Sequence, residues 1–248
     1  GCLDVHAATK GEFPYQVSLK INGVHHCSGA LVGYRHVVTS AKCVMDVDDI
    51  SKVVVITSSL SSTNGGTAYT PRKIVSHPDF KRGNTGPNDI AIILNNVIQY
   101  KANQNIVYLP SHDTPSGAVA TLTGWRWDDS SEALATETLM KLTVTTKECS
   151  APTVVGSEIC ASVESESVEC TVRSPTIELM VEKIQHSFGK SESLSFLCFQ
   201  PENAGPLVSG GVLIGVNSYG SACDAGNPGV FTNVFHHIDW IFETIRNS

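Results

Sequence analysis

No apolar run in this chain approaches the ~20 residues that a membrane-crossing helix needs, so such a span is excluded by length. Charge is sparse at 17% of residues, and 17 Lys and Arg face 24 Asp and Glu. The resulting net charge of -7 favours solubility and argues against nucleic acid or heparin as the main partner. Metal-ligand spacing is also missing. His25-His26-Cys27 and His236-His237 are adjacent pairs, and neighbours in a strand point to opposite faces, whereas a zinc site needs converging ligands. No metal and no cofactor is expected. Nothing repeats at a solenoid period. With 41% hydrophobic residues the chain is not a disordered one. No leader-like stretch opens it, so it reads as a mature secreted form whose leader has been removed.

What is present points to an oxidising compartment. Eight cysteines, an even number, imply a disulfide framework. At 248 residues the chain can bury a large core, and all-β chains of this size often form one domain. Short β-rich runs alternate with Gly, Pro, Asn and Ser clusters: Gln16-Val17-Ser18-Leu19-Lys20-Ile21, Lys52-Val53-Val54-Val55-Ile56-Thr57 and Val212-Leu213-Ile214-Gly215-Val216. Many such strands predict an antiparallel barrel or sandwich. One helix closes the chain, with Ile238, Ile241, Phe242 and Ile245 at i, i+3, i+4 and i+7 as its apolar stripe.

Several short motifs then occur in a fixed order. They are Gly11-Glu12-Phe13-Pro14-Tyr15, His26-Cys27-Ser28-Gly29-Ala30-Leu31, Val37-Val38-Thr39-Ser40-Ala41-Lys42-Cys43 and Asn88-Asp89-Ile90-Ala91. Gly124-Trp125, Ile159-Cys160-Ala161, Glu202-Asn203-Ala204-Gly205-Pro206, Asn217-Ser218-Tyr219-Gly220 and Asn227-Pro228-Gly229-Val230-Phe231 follow. As an ordered set they resemble the landmarks of the trypsin-like serine protease family. The resemblance implies an all-β fold of two six-stranded antiparallel barrels with the family's cleft between them. Residues 1–248 would form one trypsin-like domain, with barrels over roughly 14–110 and 118–234 and a helix over roughly 235–246. It also implies disulfides joining Cys27 to Cys43, Cys149 to Cys160 and Cys198 to Cys223; Cys2 and Cys170 are left over, and by elimination they either pair with each other and fix the start of the chain or stay as free thiols.

The motifs that carry the family's chemistry are degenerate. Hydrolysis there needs a nucleophile, a base and donors for the oxyanion. Lys42 stands where the family has its histidine base, and an ammonium cannot accept a proton. Asn203 stands at the nucleophile position, and a side-chain amide has a delocalised lone pair. Pro201 stands where a backbone N–H would serve the oxyanion, and proline has none. Leu197 falls at the base of the specificity pocket, which gives no support to an acidic pocket for Lys or Arg and favours apolar filling. The family's processed start aligns with Cys2-Leu3-Asp4-Val5. Only Asp89 keeps its family identity. The bland reading is an ion pair of Lys42 with Asp89, which would favour the charged lysine. The sharper one is a Lys–Ser dyad using Ser40 or Ser218.

The expected function is therefore protein binding without catalysis. The overall sequence is similar to group 3 mite allergens, and its lost catalytic residues look like those of inactivated protease paralogues of parasitic mites. That resemblance implies interference with host defence proteins, notably complement, by a monomer that binds neither nucleic acid nor membrane. Alternatives are a cofactor that stimulates another protease, an enzyme with an unorthodox nucleophile, and a haptoglobin-like carrier. Candidate binding surfaces are the stretch between Cys170 and Cys198, the acidic run Glu164-Ser165-Glu166-Ser167-Val168-Glu169, and Trp125-Arg126-Trp127 with Asp128-Asp129. Within the first, Ser174-Pro175 could open a helix that carries Ile177, Met180, Val181 and Ile184 and ends at Gly189.

Overall fold

A computed structural model describes residues 5–81, 87–99, 102–126, 135–149, 156–164, 204–220, 222 and 228–248. These fold into two antiparallel sheets of seven strands each. The first runs in the order β6 (Thr67–Tyr69), β5 (Val53–Thr57), β2 (Gln16–Ile21), β3 (Val24–Leu31), β4 (His36–Thr39), β8 (Ala91–Asn95) and β7 (Pro71–Ser76). It curls without closing, because β6 and β7 lie at opposite edges. The second holds β1 (Val5–Ala7), β10 (Ala135–Lys147), β11 (Glu158–Ser162), β14 (Gly229–Asn233), β13 (Val212–Tyr219), β12 (Pro206–Ser209) and β9 (Val119–Arg126). Here β9 also pairs with β10, so six strands close into a barrel and β1 is added outside the ring. The mostly β architecture of two barrel-like sheets, one closed and one open, with a C-terminal helix is as expected from the motifs.

Local chemistry explains the elements. The β2–β3 hairpin turns on Asn22-Gly23, with φ of 53° and 81°. Those values suit a two-residue turn whose twist matches the flanking strands, and Asn and Gly tolerate them best. Close contact of β3 with β4 needs Gly29, where a Cβ would sit 2.8 Å from Val37 Cγ1. Strand β2 is buried along Gln16, Val17, Ser18 and Leu19 because both its faces are covered. Val17 and Leu19 join the first sheet's core, whereas Gln16 reaches the other sheet. Its Nε2 donates to Ser28 Oγ at 2.9 Å, and its Oε1 accepts from Thr123 Oγ1 of β9 at 2.7 Å.

Two apolar clusters hold most of the core. One fills the second barrel with Leu122, Leu142, Ile214 and Phe231. The other joins Val37 and Ile92 of the first sheet to Val208, Val216, Val234 and Ile241. It therefore cements the sheets to each other and to the terminal helix α1 (Ile238–Arg246). The helix stripe differs from the expected one by a partner. Phe242 is 48% exposed, while Trp240 packs on the core beside Ile241 and Ile245. Trp125 likewise fails as a surface residue. It is 1% exposed and donates from Nε1 to Leu60 O at 3.0 Å.

Two of the expected disulfides are present, Cys27–Cys43 and Cys149–Cys160. Cys2, Cys170, Cys198 and Cys223 lie outside the described residues. The first bridge ties β3 to the 3-10 turn Ala41–Cys43, and a loop of 16 residues is worth about 3 kcal/mol on the loop-entropy model. Replacing both Cys27 and Cys43 by serine should lower urea unfolding stability by ~3 kcal/mol. A loss under ~1 kcal/mol would show that the bridge is not what holds that turn.

Candidate functional site

Strand register brings the site together. Thr39 of β4 pairs with Ala91 of β8, so Ser40 and the 3-10 turn carrying Lys42 emerge beside the segment Asn88-Asp89-Ile90. Asn88 adopts φ 69°, and Ile90 N donates to Asn88 O at 2.8 Å, closing a three-residue turn with Asp89 at its centre. From the other sheet, β13 delivers Ser218 and β14 delivers Thr232.

Asp89 is wholly buried, and each carboxylate oxygen is occupied. Oδ1 accepts the Ser40 hydroxyl at 2.5 Å and the Lys42 backbone N–H at 2.9 Å. Oδ2 accepts the Ser218 hydroxyl at 2.7 Å. The Asp89 carbonyl accepts Thr232 Oγ1 at 3.0 Å. A buried charge costs several kcal/mol unless such donors replace water. The Lys42 side chain is a weaker partner, with Nζ 3.8 Å from Oδ2 and only 17% of the side chain exposed. Burial draws the Lys42 ammonium below the usual lysine range, and the Asp89 carboxylate opposes this without cancelling it. The expected ion pair of Lys42 with Asp89 is present, and Asp89 favours the charged lysine as expected, but burial outweighs it.

Both serines considered as nucleophiles are engaged here. Ser40 and Ser218 are 0% and 1% exposed, and each donates its hydroxyl to Asp89. Their supporting role escapes the sequence, since the partner lies 49 and 129 positions away. Asn203, Pro201 and Leu197 lie outside the described residues, as do residues 165–203 as a whole. The neighbouring Ala204 is buried and donates from N to Asn217 O at 2.9 Å, anchoring this end of the motif beside Ser218. Of the acidic run only Glu164 is described, and it accepts from Thr145 Oγ1.

A model of the family described as trypsin matches residues 3–171 and 186–241. This chain belongs to the trypsin family. It is 30% identical to trypsin delta of Drosophila erecta over 244 residues, covering 98% of this chain and 86% of that one. Trypsin alpha of Drosophila melanogaster is 29% identical, with 97% and 86% covered. In fold alone it is similar to neuropsin, a serine protease expressed in the limbic system of mouse brain. That structure matches with a TM-score of 0.75 at 21% identity, over 98% of this chain and 100% of the other.

A histidine cluster absent from the motif reading flanks this trypsin-family site. His237, 3% exposed, has Nδ1 2.8 Å from Asn233 O and Nε2 3.0 Å from the Asn88 side-chain amide. The Asn233 carbonyl requires an N–H at Nδ1, and Nε2 faces Asn88 Oδ1. The His77 and His236 rings lie 5.2 and 5.0 Å from it, and His77 also meets Trp240 at 4.9 Å. Burial pulls His237 down to about 4, and neighbouring His77 and His236 push the same way against the Asn233 bond.

Two outcomes follow from this site. Ser218→Ala leaves Asp89 Oδ2 short of a donor and should cost about 1.5–3 kcal/mol in urea unfolding, the range for bonds to a charged group. A change within ~0.5 kcal/mol, as at an ordinary surface position, would refute that. Because the folded His237 titrates lower than the free ring, the unfolded chain binds a proton first as pH falls. Stability is then full above about 6.5 and declines towards about 4, by about 3 kcal/mol from this residue. His77 and His36, also lowered by burial, add to the same decline. His237→Gln should flatten the slope over that window, and an unchanged slope would exclude His237 as its source.

Proposed function

We propose that this trypsin-family chain is a secreted homologue without the family's hydrolytic chemistry, acting by binding other proteins. The observation that carries this reading is the arrangement around Asp89. The position that holds the family's base carries Lys42, whose backbone N–H does the structural work while its ammonium faces Asp89 from 3.8 Å. The hydroxyls nearest that carboxylate are buried and spent on it. A nucleophile must expose its oxygen to a substrate carbonyl and pass its proton to a base. Ser40 and Ser218 do neither, so a Lys–Ser dyad is disfavoured.

The sequence adds two further obstacles, Asn203 for the nucleophile and Pro201 for an oxyanion donor. Losing one such donor alone typically costs about 2.7–4 kcal/mol of transition-state stabilisation. The two described disulfides fit an oxidising, extracellular setting, and no described helix is long and apolar enough to cross a membrane. The likeness to inactivated mite paralogues directs the proposal further, to interference with a host defence or protease cascade such as complement. An intact trypsin-like scaffold without turnover can compete with active relatives for their protein substrates.

Restoring Lys42→His and Asn203→Ser together should yield no trypsin-like hydrolysis of chromogenic peptide substrates, because Pro201 remains. Turnover by the native chain or by that double variant would overturn the inactive reading. In a complement activation assay the native protein should lower the yield of activated products. A dose-dependent increase would instead mark a stimulating cofactor.

A further inference from the structure

Three imidazoles meet where α1 joins the body, and the hydrogen bonds around Asp89 use none of their side chains. His237, buried at the N-terminus of α1, spans two segments. Its Nδ1 lies 2.8 Å from Asn233 O at the end of β14, and its Nε2 lies 3.0 Å from Asn88 Oδ1. The His77 ring, from the segment after β7, meets it edge-on at 5.2 Å and stands 4.9 Å from Trp240. His236 completes the cluster at 5.0 Å. His77 is itself held, since its N donates to Ile90 O at 3.0 Å and its Nδ1 accepts the Asp79 N–H at 3.3 Å. These groups form the polar part of the seat of α1, and Trp240, Ile241 and Ile245 form the apolar part. Neither described disulfide reaches the helix, and at nine residues it is too short to persist in water by itself.

We propose that this cluster is an acid-operated latch: a proton entering it releases α1 from the body while the two sheets stay folded. The neutral cluster fits the closed seat, and a charged one does not. A proton at Nε2 of His237 would find Asn88 Oδ1, but one amide oxygen does not replace the water that a ring 3% exposed has lost. Two further imidazoles within 5.2 Å would repel the charge. Among the described residues no carboxylate pairs with His237 to balance it. Asp89, next to Asn88, is filled by Ser40, Ser218 and the Lys42 N–H. Asp79 favours a proton on His77, which makes a second one on His237 harder to place. Asp239, Glu243 and Arg246 of α1 are exposed to water. Once α1 leaves its seat His237 takes its proton freely, so falling pH favours the open form. The lowering of His237 by burial, to about 4, has the sign this requires. Opening uncovers Val234 and Ile241, both wholly buried in the closed form. The acid response is thereby assigned to one element and not spread over the whole fold. It does not depend on what the chain binds or on whether it hydrolyses peptides.

The test is hydrogen exchange of the full native chain, followed by mass spectrometry between about pH 7 and about pH 4 and corrected for the intrinsic exchange rate. Protection of α1 should fall by up to about tenfold per pH unit below about 6.5, the effect of one proton taken up on opening. Strands β2 and β13 should keep their protection over the same range. His237→Gln, which takes up no proton, should flatten the fall in α1; where this variant does not fold, the native comparison of helix with strands decides alone. Protection of α1 that stays level down to about pH 4 would overturn the proposal. So would β2 and β13 losing protection in step with α1, or an undiminished fall in the variant.

Discussion

The buried carboxylate of Asp89 is the constraint on which the rest of this site depends. An ionised group at zero exposure is tolerable only if donors replace the water it lost. Those donors come from segments far apart in the chain. Ser40 is 49 positions away, Ser218 is 129 and Thr232, on the backbone carbonyl, is 143. Satisfying one residue therefore requires the end of β4, the edge of β8 and the middle of the second sheet to meet. Separating the sheets would strand the charge as well as expose the shared apolar cluster of Val37, Ile92, Val208 and Val216. Polar and apolar requirements thus select the same arrangement.

That division of labour separates scaffold from chemistry. Position 42 serves Asp89 through its main-chain N–H, a donor that any residue except proline supplies. Its side chain was consequently free to change without undoing the packing. The Cys27–Cys43 bridge holds the turn from outside, again independently of the residue between. A trypsin-family chain can in this way keep its two sheets, its buried acid and its described disulfides whatever side chain stands at position 42. The proposed binding role needs only what has been kept.

How far this was legible in the sequence varies with the range of the interaction. Strand β2 and the Asn22-Gly23 turn are local features, and periodicity or turn chemistry is enough to place them. The proximity of Lys42 and Asp89 was legible through ordered motifs rather than through any physical signal in the residues themselves. Tertiary partners were not. A helical period shows that α1 has an apolar side but not which flank of it is covered. Trp240 packs on the core and beside His77, whereas Phe242 stays exposed. Trp125 looked available for contact because its burial depends on Leu60 and Leu139, which are distant in sequence. The hydroxyls of Ser40 and Ser218 gave no hint of direction, since a serine reads alike as nucleophile, donor or surface residue.

The lysine at position 42 calls for an explanation in terms of its neighbours. Charge compensation is the obvious answer, yet the distances argue against it. A 3.8 Å approach adds little to a carboxylate that already holds three donors within 2.9 Å, and the lysine loses water in making it. Burial outweighs the attraction, so the pair costs the ammonium more than Asp89 returns to it. A residue retained for stability at this place would be expected to be small or apolar. What position 42 gives the fold is its backbone N–H, which Asp89 Oδ1 accepts at 2.9 Å.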